Sequence, residues 1–233
     1  MEAWPAVQTE LREVLQAAFP GPGQPSVEDI LRTDIPYLDG VCEESSRLAG
    51  VAKASMRWST VDTEILGYRI PKGTTVFMNF HMNRPPLPVD ESKRAPSSRS
   101  AASKVGDGLQ TDAGRHLERF EPRRWLVKDD VSGKESFNAY ALPALGFSGG
   151  YRGCFGKHSD DPFIPSYPRH SYFLTWHPEL GKRFAQMEFR ILVVLLILNF
   201  EFLPLPEECR SMNAHEKIFR EPDKPYAKLR VLR

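Results

Sequence analysis

The sequence predicts an α+β fold that is mainly α, with short β-hairpins between the helices. Apolar residues recur at helical spacing near the start of the chain, and the run Ile191–Leu198 is apolar enough for a buried helix. Between these regions, residues 54–80 form short apolar runs that are separated by turn signals, a pattern typical of hairpins. Long helical patterns and short hairpins in one chain indicate a mixed fold.

Composition narrows the functional classes that the chain can belong to. A length of 233 residues and a hydrophobic fraction of 41% are sufficient for a globular core, and 20 prolines indicate much irregular structure. The 31 basic and 30 acidic residues leave a net charge of +1, so no overall field favours nucleic acid. Cys42, Cys154 and Cys209 are too scattered for a disulfide framework, which favours a reducing compartment. No apolar run is long enough for a membrane span.

Start and stop signals define three helices before the first strand. Pro20 ends the first, and Ser26 opens the second with a pattern similar to a capping box. Pro36 stands at the first position of the third helix, and Gly50 stands where its C-terminal cap should lie. The predicted helices cover residues 6–19, 26–32 and 37–49.

The middle of the chain is predicted to contain strands and then an insertion. Strands are expected at residues 54–60, 64–70 and 74–80, with a turn at 71–73, and a last strand at Leu229–Leu232. Residues 84–117 are rich in Ser, Pro and basic side chains and almost lack large apolar residues, so we expect a disordered insertion there.

One predicted helix carries a carboxylate on its apolar face. Tyr37, Val41 and Leu48 form the stripe of the 37–49 helix, and Glu44 continues it where an apolar residue is expected. A buried charge requires compensation, and Arg47 lies three residues on, beside Glu44 on the helix surface. The alternative is an ordinary solvated ion pair of little consequence.

A glycine-rich segment, residues 147–156, displays a single thiol. Its glycines permit left-handed backbone and close approach of a flat molecule to Cys154. Phe147 can screen the sulfur from water, and Arg152 can pair with a carboxylate. These features fit a planar, anionic cofactor, whereas the alternative is a buried cysteine without chemistry.

Three motifs resemble the cytochrome P450 superfamily. Residues 147–156 match its haem-binding signature, F-x-x-G-x-R-x-C-x-G, at every fixed position. Glu44-Ser45-Ser46-Arg47 resembles its E-x-x-R element, and Phe120–Trp125 resembles its F-x-P-E-R-W segment, with Arg123 where Glu is commoner. The resemblance implies that residues 1–233 are a partial domain with the P450-like fold, its C-terminal part only.

The resemblance also implies the roles of individual residues. Haem, iron protoporphyrin IX, is the expected cofactor, with Cys154 as the axial ligand of its iron. Glu44, Arg47 and Arg124 are expected to form a buried structural triad that supports the cysteine loop. The remaining cofactor-binding residues are Arg152 and Arg57 at the propionates, Phe147 as a shield, and Gly150 and Gly156 in the loop.

The implied activity is that of a haem-thiolate monooxygenase, which inserts one oxygen atom from O2 into an apolar small molecule. An electron-donating reductase is the expected partner. A full-length member of the family is expected at the endoplasmic reticulum membrane, facing the cytosol. This chain has no predicted anchor and is expected in the cytoplasm.

Two departures from the family pattern leave alternatives open. No segment resembles the oxygen-activating helix, so the chain is expected to be truncated at its N-terminus. Residues 157–181 separate the cysteine loop from its helix, and their deletion restores Cys-Phe-Gly-Lys-Arg-Phe-Ala-Gln-Met-Glu, which predicts a retained intron. The alternatives are a non-catalytic fragment of such an enzyme and a haem-thiolate isomerase that needs no reductase.

Overall fold

The computed structural model describes residues 3–50, 54–80, 90–94, 96, 116–142, 180–211, 213–216 and 220–232. The predicted cysteine loop lies outside the described residues, as do most of the two predicted insertions, 84–117 and 157–181. The described residues belong to two units. The first lies within Met1–Cys42, Phe147–Arg210 and Pro225–Arg233, and the second within Glu43–Gly146 and Ser211–Lys224.

The predicted helices are confirmed to within two residues, because their end signals act locally. Helix α1 begins with Pro5 at its first position, where the missing N–H removes no helical hydrogen bond. At the start of α2, Ser26 Oγ accepts from the backbone N–H of Asp29 at 3.1 Å, and Asp29 accepts from the backbone N–H of Ser26 in return. After α3, Gly50 has φ 42°, the left-handed conformation of a C-terminal cap. The bounds are Pro5–Ala18, Val27–Arg32 and Pro36–Ala49.

The first unit is built around helix α4, Leu180–Asn199, which packs on α1 and α2. Val194 and Ile197 of α4 and Leu11 and Leu15 of α1 are fully buried. The prediction of a buried helix at 191–198 is correct for one face only, since Leu192 is 49% exposed. No described helix combines the length and apolarity that a membrane span requires.

A two-stranded antiparallel sheet completes the first unit. Strand β7, Phe200–Leu203, continues directly from α4 and pairs with β10, Lys228–Val231. The predicted strand at 229–232 is therefore confirmed. The side chain of Gln8 on α1 binds both backbone groups of Phe202, accepting from its N–H at 2.6 Å and donating to its carbonyl at 3.2 Å.

The second unit contains two hairpins that follow α3. Strands β1, Ala54–Trp58, and β4, Thr75–Asn79, pair antiparallel. Between them in the sequence, the shorter β2, Thr63–Ile65, and β3, Tyr68–Ile70, form a hairpin. The prediction of one strand over 64–70 is wrong, because the chain reverses at Leu66 and Gly67, with φ 53° and 84°. A two-residue turn of type I′ requires positive φ at both positions, and an apolar residue such as Leu66 is not a usual signal for it.

Two further hairpins of the second unit were missed in the sequence because each strand has three residues. Strands β5, Leu126–Lys128, and β6, Glu135–Phe137, follow a short 3-10 helix at Pro122–Trp125. Strands β8, Ala214–Glu216, and β9, Arg220–Pro222, form the other hairpin. Such short strands show too little alternation for the period of two to be recognised.

Candidate functional site

The carboxylate of Glu44 is the best-defined polar centre of the second unit. Its side chain has no solvent exposure, and both of its carboxylate oxygens accept hydrogen bonds from the side chain of Arg47. Arg47 donates from Nε to Oε2 at 2.7 Å and from Nη2 to Oε1 at 2.8 Å, a bidentate pair. Arg124 donates from Nε to Oε1 at 3.0 Å. The structure therefore brings together the three residues that the resemblance assigns to a triad.

Two neutral donors complete the environment of this carboxylate. The backbone N–H of Glu121 donates to Oε1 at 2.9 Å, and the indole Nε1 of Trp125 donates to Oε2 at 2.9 Å. Neither contact was predicted. The sequence signal that could have indicated the second is a tryptophan directly after Arg124, since a buried indole usually finds a hydrogen-bond acceptor.

The two arginines also bind the backbone of residues 116–119. Arg47 donates from Nη1 to the carbonyl of Leu117 at 2.8 Å, and Arg124 donates from Nη2 to the carbonyl of His116 at 3.1 Å. Both guanidinium groups donate to the carbonyl of Arg119 as well. Glu44 and Arg47 thus join α3 to a segment that lies 70 or more residues further along the chain.

An apolar cluster encloses the indole of Trp125. Trp125 is fully buried and stacks on Phe137, with 6.4 Å between the ring centroids. Leu117, Ala141 and Leu142 form the rest of the cluster. Leu117 was assigned to the end of the predicted insertion, but its side chain is 1% exposed and belongs to this core.

The hydrogen bonds decide the charge of Glu44. Burial raises the pKa of its carboxyl, but the hydrogen bonds from Arg47, Glu121 and Trp125, together with the charge of Arg47, outweigh burial, so the pKa lies below its usual value of 4.5. Glu44 is therefore ionised at neutral pH. Its negative charge faces two permanent positive charges, so the cluster is balanced better than an isolated buried ion.

Of the other predicted site residues, Arg57 lies in the described part of the chain and the residues of the cysteine loop do not. Arg57 lies on β1, opposite Val76 of β4, and its Nη1 donates to Ser55 Oγ at 2.5 Å and to the carbonyl of Met56 at 2.9 Å. The candidate haem-binding residues of the cysteine loop fall outside the described part of the chain. They are Cys154, Arg152, Phe147, Gly150 and Gly156. Within the described ranges, no cluster of three potential metal ligands occurs.

Comparison with known proteins gives a consistent result. The family model "Cytochrome P450" matches residues 2–83. The chain is 31% identical to the cytochrome P450 monooxygenase TRI13 of Fusarium sporotrichioides, over 96% of this chain and 36% of that protein. It is 33% identical to the cytochrome P450 monooxygenase xilC of Penicillium crustosum, over 98% of this chain and 35% of that protein. The chain thus spans about a third of the length of these relatives.

A solved structure supports the fold. A crystal structure of a cytochrome P450, CYP102L1, superposes with a TM-score of 0.60 at 22% identity, covering 99% of this chain and 39% of that one. The fold and the Glu44 centre define a partial, mainly helical α+β domain with an internal arginine–carboxylate network. Together, the family-model match and the relatives support a fragment of the cytochrome P450 superfamily.

Proposed function

We propose that this chain carries the haem-binding part of a haem-thiolate monooxygenase that inserts one oxygen atom from O2 into an apolar small molecule. The observation that carries the proposal is the network of Glu44, Arg47 and Arg124, in a chain whose relatives are named monooxygenases. An electron-donating reductase is the proposed partner, and the membrane of the endoplasmic reticulum is the proposed location of the complete enzyme.

The chemistry of the residues fits haem. Haem carries two propionate groups, and Arg57 offers a permanent charge of the opposite sign on a half-buried strand face. Bound haem would supply oxygen activation, which a cysteine thiolate ligand favours. Cys154 is the proposed ligand, Arg152 and Arg57 the proposed partners of the propionates, Phe147 the proposed shield of the sulfur, and Gly150 and Gly156 the proposed glycines of the loop.

In this proposal, the network of Glu44 makes the haem-binding part of the chain rigid. It fixes residues 116–125 to α3 through five hydrogen bonds. Arg124, Trp125 and the backbone N–H of Glu121 donate to Glu44, and Arg47 donates to the carbonyls of Leu117 and Arg119. A cofactor-binding domain needs such preorganisation, because a side chain that is free to move binds its ligand at an entropic cost. We assign the network to support of the fold and not to contact with substrate.

The ligand assignment is tested by haem reconstitution of the chain from which residues 157–181 have been deleted. The ferrous carbon monoxide spectrum is recorded for this deleted chain without a substitution, with Cys154→Ala and with Cys209→Ala. We expect the thiolate-type Soret band in the unsubstituted deleted chain and in its Cys209→Ala variant, whose cysteine is free and half-buried. Cys154→Ala should lose that band. A thiolate band that survives in Cys154→Ala would refute the assignment.

A second measurement separates oxygenation from simple haem binding. Reconstituted chain is supplied with a reductase, NADPH and a panel of apolar substrates, and labelled oxygen gas is used. Incorporation of one labelled atom into a product supports the monooxygenase. Haem binding without incorporation supports the non-catalytic fragment, and rearrangement of an oxygenated substrate without a reductase supports the isomerase.

A further inference from the structure

We propose that Trp125 is a positioning residue of the Glu44 centre: its indole N–H holds Oε2 and keeps the carboxylate in the charged form that binds both arginines. Oε1 accepts from three groups, Arg47, Arg124 and the backbone of Glu121. Oε2 accepts from two, Arg47 and Trp125. Because Glu44 is fully buried, water cannot replace a missing donor at Oε2.

The packing of the indole preorganises this contact. Trp125 is itself fully buried and stacks on Phe137. Its carbonyl accepts from the backbone N–H of Asn138 at 2.7 Å, which joins the two ends of the β5–β6 hairpin. An N–H that is already aimed at its acceptor loses little entropy when the contact forms.

The donors around Glu44 discriminate between its two protonation states. In each of the five hydrogen bonds at Glu44, the partner group is the donor and the carboxylate is the acceptor. The indole N–H of Trp125 cannot act as an acceptor. A protonated carboxyl would direct its own O–H against a donor, so the centre favours the carboxylate. The charged groups that contact it directly are Arg47 and Arg124, while the side chains of His116, Glu118 and Arg119 are exposed on the neighbouring segment.

This inference concerns the Glu44 centre alone and holds whether or not haem binds. Its test uses a double-mutant cycle in the 233-residue chain, with stability measured as the urea midpoint at pH 7. Trp125→Phe keeps an aromatic ring beside Phe137 but removes the N–H. Phe137→Leu is the matched control, because it removes the stacking and keeps the N–H.

The two substitutions should behave differently when the charge of Glu44 is removed. In the Glu44→Gln background, the effect of Trp125→Phe on the midpoint should fall by at least about half, since hydrogen bonds to charged groups are about twice as strong as neutral ones. The effect of Phe137→Leu should be the same in both backgrounds. Equal effects of Trp125→Phe in both backgrounds would overturn the proposal and leave Trp125 a packing residue.

A second measurement covers the case in which Glu44→Gln does not fold. The chain is labelled with 5-fluorotryptophan, and Trp125→Phe identifies the fluorine resonance of residue 125 among the 4 tryptophans. That resonance should titrate with the carboxyl of Glu44. In Trp125→Phe, the carbon-detected titration of Glu44 should move up by about one pH unit, the size expected for a hydrogen bond to a charged group. An unshifted titration would overturn the proposal.

Discussion

Glu44 retains a charge without any contact with solvent because, among the described residues, each polar group that contacts its oxygens donates a hydrogen bond. Two guanidinium groups, one indole and one backbone amide are gathered at a carboxylate that local sequence identifies only as an odd member of an apolar stripe. The centre therefore stabilises the fold only when all of these hydrogen bonds are present. Loss of one partner leaves the others buried and unsatisfied, which is more costly than the absence of the whole network.

The first prediction concerns removal of that carboxylate. Glu44→Ala should lower the free energy of unfolding by about 3–5 kcal/mol, because two buried guanidinium groups lose their counter-charge. Urea unfolding followed by circular dichroism measures the change. The control is Glu118→Ala, whose side chain is 62% exposed and which should have little effect. Similar losses in the two variants would contradict a special role of Glu44.

The second prediction concerns acid. The pKa of Glu44 is lower in the folded chain than its usual value, so the folded state binds fewer protons and its stability rises with pH in this range. The contribution is complete above the unfolded value of 4.5 and is lost as pH falls through the folded pKa.

Urea midpoints measured from pH 7 down to pH 3 test this sign. The stability difference between the unchanged chain and Glu44→Gln should be constant near neutrality and shrink below pH 4.5. A difference that grows as the pH falls would reverse the sign and refute the ionised state.

At the scale of elements, helix α4 is held at its middle by one arginine. Arg190 donates to the carbonyl of Ile30 at 3.0 Å and to the carbonyl of Thr33 at 2.7 Å, and it pairs with the carboxylate of Asp39. Burial raises the pKa of Asp39, although the charge of Arg190 opposes this shift. One side chain thus binds carbonyls at the end of α2 and a carboxylate in the first turn of α3.

The third prediction tests that attachment. Arg190→Ala should reduce the free energy of unfolding by about 1.5–3 kcal/mol, the range for hydrogen bonds to a charged group. Arg32→Ala is the control, since Arg32 is 80% exposed and pairs only with the exposed Glu28 among the contacts recorded for it. Hydrogen exchange should also quicken in α4 of Arg190→Ala. Unchanged exchange in α4 would show that its attachment depends on apolar packing alone.

The fourth prediction concerns the position at which this chain departs from the family motif. Arg123 stands where glutamate is commoner, and it donates to Glu135 of β6 at 2.9 Å on the surface. Arg123→Glu should lower stability by less than about 1 kcal/mol, because exposed ion pairs contribute little. Adding Glu135→Arg should recover part of the loss, as measured by thermal unfolding. No recovery in the double variant would exclude compensation between these positions.

At the scale of the whole molecule, the predicted insertion at residues 157–181 separates Cys154 from α4 along the sequence. Helix N-termini stabilise a nearby thiolate, so the length of this separation bears on the proposed haem ligand. Helix α4 begins at Leu180, so it includes the last two residues of this predicted insertion.

The fifth prediction follows from that arrangement. Deletion of residues 157–181 should increase haem retention several-fold over the 233-residue chain, because α4 then starts close to Cys154. Haem content after gel filtration measures the change, with Cys154→Ala in the deleted chain as the control. Transcript sequencing should find Gly156 joined to Lys182. Stoichiometric haem in the undeleted chain, with transcripts that keep the segment, would contradict the intron hypothesis.

The sequence by itself determined those features whose causes are local. Helix ends follow from Pro5, Ser26 and Gly50, since each acts on backbone groups within four residues. The pairing of Glu44 with Arg47 was also predictable, because side chains three residues apart on a helix are neighbours. The class of fold followed from the periods of the apolar residues.

Only the tertiary structure decided the contacts between distant residues that no motif assigns. Gln8 lies 194 residues from Phe202. Arg124 lies 80 residues from Glu44, and the sequence assigned it to the triad only through the family motif. Such contacts depend on where the folded chain returns, and no local period encodes that return. The hydrogen bond from Trp125 to Glu44, 81 residues apart, shows the difference best. The sequence supplied the indole beside Arg124, but folding brought its N–H to a buried oxygen that water cannot reach.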